Sequence, residues 1–285
     1  MHIYTVYERI YSLFFRKKPR RNPFNFEVHL TDSCNLNCKS CFHFSPLSPK
    51  NNYYPLDEFT REFERLSLLF DGEFGWIHLL GGEPLLNPAI NDYLDVVGKY
   101  VRKGQVDLLT NGILLSRMGE DFYAACKRNN VRIGLTKYPI QLDIERLREI
   151  AASHGVAFYI FADQSKGKTF CSPSLVPHSK MDYRKNYFAC PISNACVTLD
   201  RGKLYYCSLP AFVRIYNEAF GPAFDYKEDS ISIFDHDQEE LLDFLRTPHP
   251  FCKYCDVHYR DKHPFQWGRS EKQTREWLKQ EHRAS

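Results

Sequence analysis

Three cysteines in the segment DSCNLNCKSCFHF, residues 32–44, have a spacing that suits metal chemistry. Three residues separate Cys34 from Cys38, and two separate Cys38 from Cys41. Structural zinc sites use four protein ligands, and simple iron–sulfur clusters usually use four cysteines. Three thiolates around a four-iron cluster would leave one iron open to a small molecule, as catalytic metal sites do. A partial zinc site and three buried thiols are the alternatives.

Four more cysteines form a second spaced set. Cys207 closes the segment CVTLDRGKLYYC, which alternates apolar and polar residues around a DRG turn and predicts a β-hairpin. Cys190 precedes this segment, and CKYC follows it with Cys252 and Cys255. Four thiolates suit a zinc ribbon and a closed iron–sulfur cluster equally well. The chain is long and shows no export signal, so its 10 cysteines favour metal or redox chemistry over disulfides.

The elements that must position these cysteines alternate between strand and helix. The predicted strands are 24–31, 76–80, 105–112, 131–136 and 156–162, and the predicted helices are 56–70, 89–101, 119–129 and 144–155. This alternation predicts parallel βαβ units, as a barrel or as an open doubly wound sheet. Active sites of such folds lie at the carboxyl ends of the strands. The cysteine loop follows the first strand, and GGEP follows the second.

The CxxxCxxC loop after the first strand and GGEP after the second resemble the radical S-adenosylmethionine (SAM) superfamily. The resemblance implies an α/β fold, a partial (β/α)6 TIM-like barrel, in which Cys34, Cys38 and Cys41 ligate a SAM-binding [4Fe-4S] cluster. In that family the open iron chelates SAM, and an electron cleaves it to a 5′-deoxyadenosyl radical that abstracts hydrogen from a substrate carbon. A flavodoxin- or ferredoxin-type protein is the expected electron donor.

The same resemblance implies where SAM binds. Gly81, Gly82 and Glu83, followed by Pro84, would receive the methionyl amine. Glycines let a backbone approach a ligand closely, and carbonyls with a carboxylate suit an ammonium group. The family's aromatic residue before the third cysteine is replaced by Ser40, and aromatic residues follow instead. The remaining expected contacts to adenine and ribose are Phe42, Thr110, Asn111, Thr136 and Ile160.

The second cysteine set resembles the twitch module, a shortened SPASM domain that holds an auxiliary [4Fe-4S] cluster. Eleven residues separate Cys190 from Gly202, and four separate Gly202 from Cys207, before the later CxxC. The implied ligands are Cys190, Cys207, Cys252 and Cys255. Cys196 competes with Cys190, but only five residues separate it from Gly202, which is outside the family's window. A zinc ribbon remains the alternative.

The remaining cysteines and histidines have less specific readings. Cys126 lies in a helical pattern and is predicted to be a buried apolar residue. Cys171 and Cys196 are candidate hydrogen donors to a substrate radical, with an inert loop cysteine as the alternative for Cys171. Three histidines without a visible partner are predicted to be structural: His43, His78 and His154. The segment HPFQWGRSEK, 263–272, is predicted to pack or to close the substrate pocket.

Charge and composition limit the partners that we expect. The net charge of +3 carries no indication of nucleic acid, and no nucleic-acid partner or transmembrane segment is predicted. The basic run RKKPRR is predicted to be the solvated end of an N-terminal helix, or a contact to a membrane surface or an anionic substrate. Because iron–sulfur clusters are sensitive to oxygen, we expect the protein in the reducing cytoplasm.

The sequence divides into four predicted parts. These are an N-terminal extension 1–21, a barrel 22–165, a linker and twitch module 166–269, and a C-terminal helix 270–285.

The function implied by the resemblance is radical chemistry on a small molecule. Small radical SAM enzymes with a twitch module include aminoglycoside-pathway dehydrogenases and epimerases. We therefore predict abstraction of hydrogen from a hydroxyl-bearing carbon of a carbohydrate or aminocyclitol-like substrate, followed by oxidation or epimerisation. One alternative is a peptide or protein maturase. The other is a non-catalytic zinc or iron–sulfur scaffold.

Overall fold

An eight-stranded, mostly parallel sheet organises the chain. A computed structural model describes residues 17–18, 23–167 and 170–280. The sheet has the strand order β5-β4-β3-β2-β1-β6-β7-β8, and neighbours from β5 through β1 to β6 run parallel. The strands are β1 Phe26–His29, β2 Glu73–Leu80, β3 Lys103–Thr110, β4 Val131–Lys137, β5 Phe158–Asp163, β6 Thr198–Asp200, β7 Lys203–Tyr205 and β8 Ser230–Ser232.

The first four helices connect the parallel strands β1 to β5, and the last four follow β5 in the chain. They are α1 Leu56–Leu69, α2 Ile90–Tyr100, α3 Glu120–Arg128, α4 Ile144–Ser153, α5 Tyr183–Ala189, α6 Ser208–Phe220, α7 Gln238–Arg246 and α8 Val257–Lys262. Alternate strand residues such as Phe26 and Ile77 are completely buried, and Phe26 contacts Phe63 of α1. Each such aromatic or aliphatic side chain contributes about 2 kcal/mol through the apolar area it buries. We call the face of the sheet that contacts α1 the helix face, and the opposite face the inner face.

The predicted fold class is confirmed, with one difference in strand order. The sheet is open and its first five strands alternate with helices, as expected for a partial barrel. The sixth parallel strand does not extend the sheet beyond β5. It is β6, the first strand of the C-terminal hairpin, and it pairs with β1 through Glu27 and Val28. The C-terminal module therefore continues the barrel sheet.

The predicted hairpin forms at the expected residues. Strands β6 and β7 pair antiparallel, with Asp200 opposite Lys203. Arg201 and Gly202 both have positive φ, at 50° and 73°. Two positive φ values at the centre of a two-residue turn define the type I′ turn that matches the twist of a hairpin.

The C-terminal helix predicted over 270–285 is not found in the described part of that segment. Residues 270–280 contain a single 3-10 helix, Thr274–Glu276. Their backbone groups pair across to other parts of the chain: Leu175 donates its N–H to the Trp277 carbonyl, and Lys279 donates to the Leu175 carbonyl. These partners replace the i to i−4 bonds of a helix.

The N-terminal extension lies mostly outside the described residues. Lys17 forms an ion pair with Asp243. Lys18 is only 3% exposed, and its Nζ donates to the Cys190 carbonyl at 2.7 Å and to Ser193 Oγ at 2.8 Å. The prediction of a solvated basic run is therefore wrong for Lys18. Within the described residues, no helix combines the length and apolarity needed to span a bilayer.

Candidate iron–sulfur and SAM site

The loop after β1 gathers Cys34, Cys38 and Cys41. Asn37 and Ser40 have positive φ, 53° and 58°, and the loop brings the three sulfurs near enough to interact electrostatically. Burial raises the pKa of Cys34 and Cys38 to about 12, and the neighbouring Cys41 sulfur adds to both shifts. Burial disfavours the charged thiolate, so these thiols would lose their protons only next to a positive charge, such as that of a bound metal ion.

Tyr138, in the loop after β4, is a neighbour of this site that the sequence analysis missed. Burial raises the pKa of Tyr138 well above its usual range, and the adjacent Cys38, Cys41 and Cys34 sulfurs raise it further. Its position just beyond a parallel strand was the available signal, because the carboxyl ends of the strands meet at one edge.

The glycines of GGEP serve a close approach between two loops. Gly82 donates its N–H to the Thr31 carbonyl at 2.8 Å, and Glu83 donates to the Ser33 carbonyl at 2.9 Å. A Cβ at Gly81 would lie 2.2 Å from the Thr31 oxygen, and one at Gly82 would lie 2.1 Å from the Ser33 oxygen. The expected reason for these glycines was approach to a ligand. In the structure they hold the backbone of the cysteine loop against the end of β2.

Glu83 joins the ends of β2 and β3. Its carboxylate accepts hydrogen bonds from Thr110 Oγ1 at 2.7 Å, from the Asn111 N–H at 2.9 Å and from the Leu85 N–H at 3.2 Å. Glu83 is completely buried, and burial raises its pKa to about 7. Thr110 and Asn111, predicted to contact SAM, thus hold Glu83. Asn111 also donates to Asn35 Oδ1 at 2.8 Å, which ties β3 to the cysteine loop.

The other predicted SAM contacts are Phe42, Pro84, Thr136 and Ile160. Phe42 is half-buried against the core, and Pro84 begins a buried 3-10 turn. Thr136 pairs with Ala162 near the end of β4. Ile160, on the edge strand β5, is 37% exposed. Ser40, where the family has an aromatic residue, instead donates to the Glu276 carbonyl at 2.6 Å and anchors the C-terminal segment.

The second cysteine set lines one small cavity of about 20 Å³. Cys190 follows α5, Cys207 precedes α6, and Cys252 and Cys255 belong to a short 3-10 turn and its end. Burial raises the pKa of Cys252 to about 12 and raises those of Cys207 and Cys255 as well. Cys196 is not among the residues that line this cavity.

Cys126, Cys171 and Cys196 belong to neither set. Cys126 is completely buried in α3, as predicted for an apolar role. Cys171 is half-buried; burial raises its pKa, and the nearby Arg260 charge opposes the rise. Cys196 is half-buried just before β6.

The donor sets fit iron–sulfur clusters. All ten cysteines lie in the described residues, and none of them forms a disulfide. Within the described ranges, no three His, Cys, Asp or Glu side chains converge to hold a single metal ion. A four-iron cluster takes its thiolates on different irons, so its ligands need not converge on one point. The donor chemistry fits an open four-iron cluster at residues 34–41, and at the second set it suits a closed cluster and zinc equally.

A row of polar side chains crosses the inner face and was not identified from the sequence. The register aligns five neighbouring strand positions. The residues in this row, which we call the polar row, are Thr198, Glu27, His78, Asp107 and Arg132. The sequence analysis treated these strands as apolar runs, although Glu27 and His29 in β1, and Gln105 and Asp107 in β3, alternate with apolar residues, which is the signal for one polar face.

The polar row is held together by charge pairs. Arg132 donates to both oxygens of Asp107, at 2.7 and 3.0 Å, and Thr198 donates to Glu27 at 3.0 Å. His78 lies 3.8 Å from Asp107 and stacks on Trp76, so it does have partners. Burial lowers the pKa of His78 to about 4.

The other two histidines also have neighbours. His43 approaches the Gly81 carbonyl at 3.4 Å beside the cysteine loop. His154 stacks on Tyr123 and bonds the Ile150 carbonyl, in agreement with a structural role.

Comparison with known proteins matches the first half of the chain. The sequence model of the Radical SAM superfamily matches residues 28–159. GTP 3′,8-cyclase from Trichodesmium erythraeum is 31% identical over 120 residues, covering 41% of this chain and 33% of the relative. GTP 3′,8-cyclase from Helicobacter pylori is 30% identical over 118 residues, covering 41% and 33%. The chain spans about a third of the length of these curated relatives.

A solved structure resembles a larger part of the chain. Native anSMEcpe with bound AdoMet superposes with a TM-score of 0.52 at 15% identity, over 77% of this chain and 80% of that one. At this identity the likeness establishes the fold. The family match over residues 28–159 and the cysteine loop at the carboxyl end of β1 are what this chain shares with the Radical SAM superfamily.

Proposed function

We propose that this protein is a radical SAM enzyme that abstracts hydrogen from a hydroxyl-bearing carbon of a carbohydrate or aminocyclitol-like substrate. The observation that carries the proposal is the meeting of three free thiols with the GGE backbone at the carboxyl ends of β1 and β2. A four-cysteine cavity beside the continuation of the same sheet supports a second cluster.

The residues around the first set have distinct roles in this proposal. Cys34, Cys38 and Cys41 would hold a [4Fe-4S] cluster, which when bound supplies one electron for cleavage of SAM to a carbon-centred radical. The Gly81–Gly82 backbone would receive the methionyl amine. Glu83 already accepts three hydrogen bonds, so its contribution would be negative charge near that amine. Tyr138 would exclude water above the thiols.

The second set determines the outcome of the reaction. Cys190, Cys207, Cys252 and Cys255 would hold an auxiliary [4Fe-4S] cluster, which when bound would supply an acceptor for the electron that the substrate radical loses, together with its hydroxyl proton, on oxidation to a ketone. Return of a hydrogen atom from the thiol of Cys171 or Cys196 to the other face of the carbon would give epimerisation instead, and the thiyl radical left behind would take one electron from the external electron donor and one proton from solvent. Cys171 lies near Arg260, which also approaches Cys190 of the four-cysteine set. A flavodoxin- or ferredoxin-type protein would supply the electron for SAM cleavage.

The polar row supports a hydroxylated substrate. Carboxylates, an imidazole and a guanidinium on the inner face offer both donors and acceptors to hydroxyl groups. GTP is a second candidate substrate, because curated relatives of the first half of the chain are named GTP 3′,8-cyclase.

The test is an anaerobic assay for 5′-deoxyadenosine. Protein purified without air is analysed for iron, sulfide and zinc, then reduced in the presence of SAM. We expect iron and sulfide at both sets and formation of 5′-deoxyadenosine. The triple variant Cys34→Ala, Cys38→Ala, Cys41→Ala should lose cleavage and keep the auxiliary cluster. Zinc at residues 34–41, or disulfides among those sulfurs, would overturn the proposal.

Substrate choice is tested in the same assay. Sugars and aminocyclitols, GTP and short peptides are compared for stimulation of SAM cleavage and for deuterium transfer into 5′-deoxyadenosine. A response to GTP or to peptides alone would contradict the carbohydrate assignment. If the product is an epimer, Cys171→Ala and Cys196→Ala identify the donor: the donor's variant should stop epimerisation while SAM cleavage continues.

A further inference from the structure

The C-terminal segment pairs with the backbone of the three-cysteine loop. Cys38 and Arg269 form an antiparallel bridge. On either side of it, Lys39 donates its N–H to the Gly268 carbonyl and Ser270 donates to the Asn37 carbonyl, both at 2.8 Å. The backbone of residues 268–270 is therefore fixed against the cysteine loop like an added strand.

This pairing aims Trp267 at a sulfur atom. The indole Nε1 of Trp267 donates to Cys38 Sγ at 3.1 Å. An indole N–H is a donor only, so this bond is directed at the sulfur and cannot reverse. Trp277 provides a contrast, because its Nε1 donates to the Cys41 carbonyl oxygen at 2.8 Å rather than to a sulfur.

The same segment reaches the other cysteine set. Arg260, in α8, is 4% exposed, and its Nη1 lies 3.5 Å from Cys190 Sγ. Between the two contacts, Phe265 pairs with Phe170 through two backbone hydrogen bonds. Residues 257–267 thus place a donor on a cysteine of each set. We call them the C-terminal bracket.

We propose that the C-terminal bracket fixes the positions of the two cysteine sets relative to each other. In this proposal Trp267 is a positioning residue that raises the reduction potential of the cluster at Cys34, Cys38 and Cys41. This inference rests on the proposed function. A reduced cluster carries one more negative charge than the oxidised cluster. A hydrogen bond to a ligand sulfur therefore stabilises the reduced form more, and such bonds are among the determinants of cluster potential.

The test is a redox titration of anaerobically reconstituted protein, followed by electron paramagnetic resonance. Trp267→Phe keeps an aromatic ring and removes the donor, so the midpoint potential of the three-cysteine cluster should become more negative. The auxiliary cluster should keep its midpoint and serves as an internal reference. Trp277→Phe removes a donor from a carbonyl and should leave both midpoints in place.

Two further variants keep the inference falsifiable if Trp267→Phe fails to hold its cluster. Trp267→His keeps a ring N–H and should stay nearer the wild-type midpoint, whereas Trp267→Leu should be more negative. Equal midpoints in donor-bearing and donor-lacking proteins overturn the role of Trp267 and leave the proposed function intact. Absence of a cluster from wild-type Cys34, Cys38 and Cys41 overturns both.

Discussion

Gly82, at the end of β2, has no room for a side chain. A Cβ there would lie 2.1 Å from the Ser33 carbonyl oxygen, which is backbone and cannot rotate away. We expect Gly82→Ala to cost about 3 kcal/mol of unfolding free energy and to lower the iron content of the three-cysteine set. Chemical denaturation and iron analysis measure the two effects.

A matched glycine serves as the control. Gly119 precedes α3, has negative φ, and a Cβ there would meet nothing within 4 Å. Gly119→Ala should change stability by less than about 0.5 kcal/mol. A Gly82→Ala protein with the same stability and iron content as Gly119→Ala would contradict the close approach seen between the two loops.

Glu27 gives the inner face a pH-dependent stability. Burial raises its pKa from 4.5 to about 7, and the hydrogen bond from Thr198 only partly opposes this. The folded state holds the Glu27 proton more tightly than the unfolded state does. The resulting stabilisation is complete below pH 4.5 and is lost as the pH rises through 7.

Glu27→Gln removes this titration and can still accept the Thr198 hydrogen bond. The unfolding free energy of the variant, relative to wild type, should increase by about 2 kcal/mol between pH 5 and pH 8. Urea titrations at the two pH values measure this difference. Parallel pH dependence in both proteins would show that Glu27 does not carry a raised pKa.

At the scale of elements, α6 is tied to the cysteine loop by buried charge. Arg214 of α6 donates to Asp32 at 2.8 Å, two residues before Cys34, and lies 3.8 Å from Asp200. Burial would raise the pKa of Asp32, but His29 and Arg214 outweigh it and hold the pKa at about 2. Arg214→Met would leave two buried carboxylates facing each other without a cation.

We expect Arg214→Met to lose about 3 kcal/mol of unfolding free energy. Adding Asp32→Asn should recover part of the loss, because one of the uncompensated charges is gone. The comparison variant is Arg275→Met, which breaks an exposed pair with Glu271 and should cost less than about 1 kcal/mol. Equal losses in the two single variants would contradict a special role for the Arg214 pair.

The elements themselves were largely predictable, because each is encoded locally. The five parallel strands follow from apolar runs between helical patterns, and the hairpin follows from DRG at a turn that needs positive φ. The placement of β6 beside β1 joins positions about 170 residues apart, and no local pattern encodes that pairing. The irregular C-terminal segment was mistaken for a helix for the same reason, since its partners lie at residues 37–40 and 175.

The candidate site was predictable to the extent that its chemistry lies in short motifs. The three-cysteine loop and GGEP are each contiguous, and the structure brings them together. The Trp267 contact depends on the fold of the C-terminal segment, and the sequence offers only a tryptophan in an aromatic and basic stretch. The polar row was partly predictable, because Glu27 and His29 alternate with Phe26 and Val28 in β1, and such alternation is unusual in a buried parallel strand.

At the scale of the whole molecule, one sheet joins the barrel to the C-terminal module. Strand β1 pairs with β2 on one side and with β6 on the other, and the Glu27 N–H donates to the Val197 carbonyl at 2.8 Å. A chain that ends at residue 167 would lose β6 and leave one edge of β1 unpaired. It would also lose α6, whose Phe212 stacks on His29 at a centroid distance of 3.7 Å.

The predicted boundary at residue 165 should therefore not separate two independently folding units. We expect the full chain to unfold in a single transition, with coincident curves from far-ultraviolet circular dichroism and tryptophan fluorescence. The fluorescence signal reports on both halves of the chain, because Trp76 lies in β2 and Trp277 lies in the C-terminal segment. The fragment 1–167 should show no cooperative transition, whereas a chain lacking only 281–285 should unfold like the full protein. A cooperative transition in the fragment, or two separated transitions in the full chain, would mean that the barrel is stable without the β6 pairing.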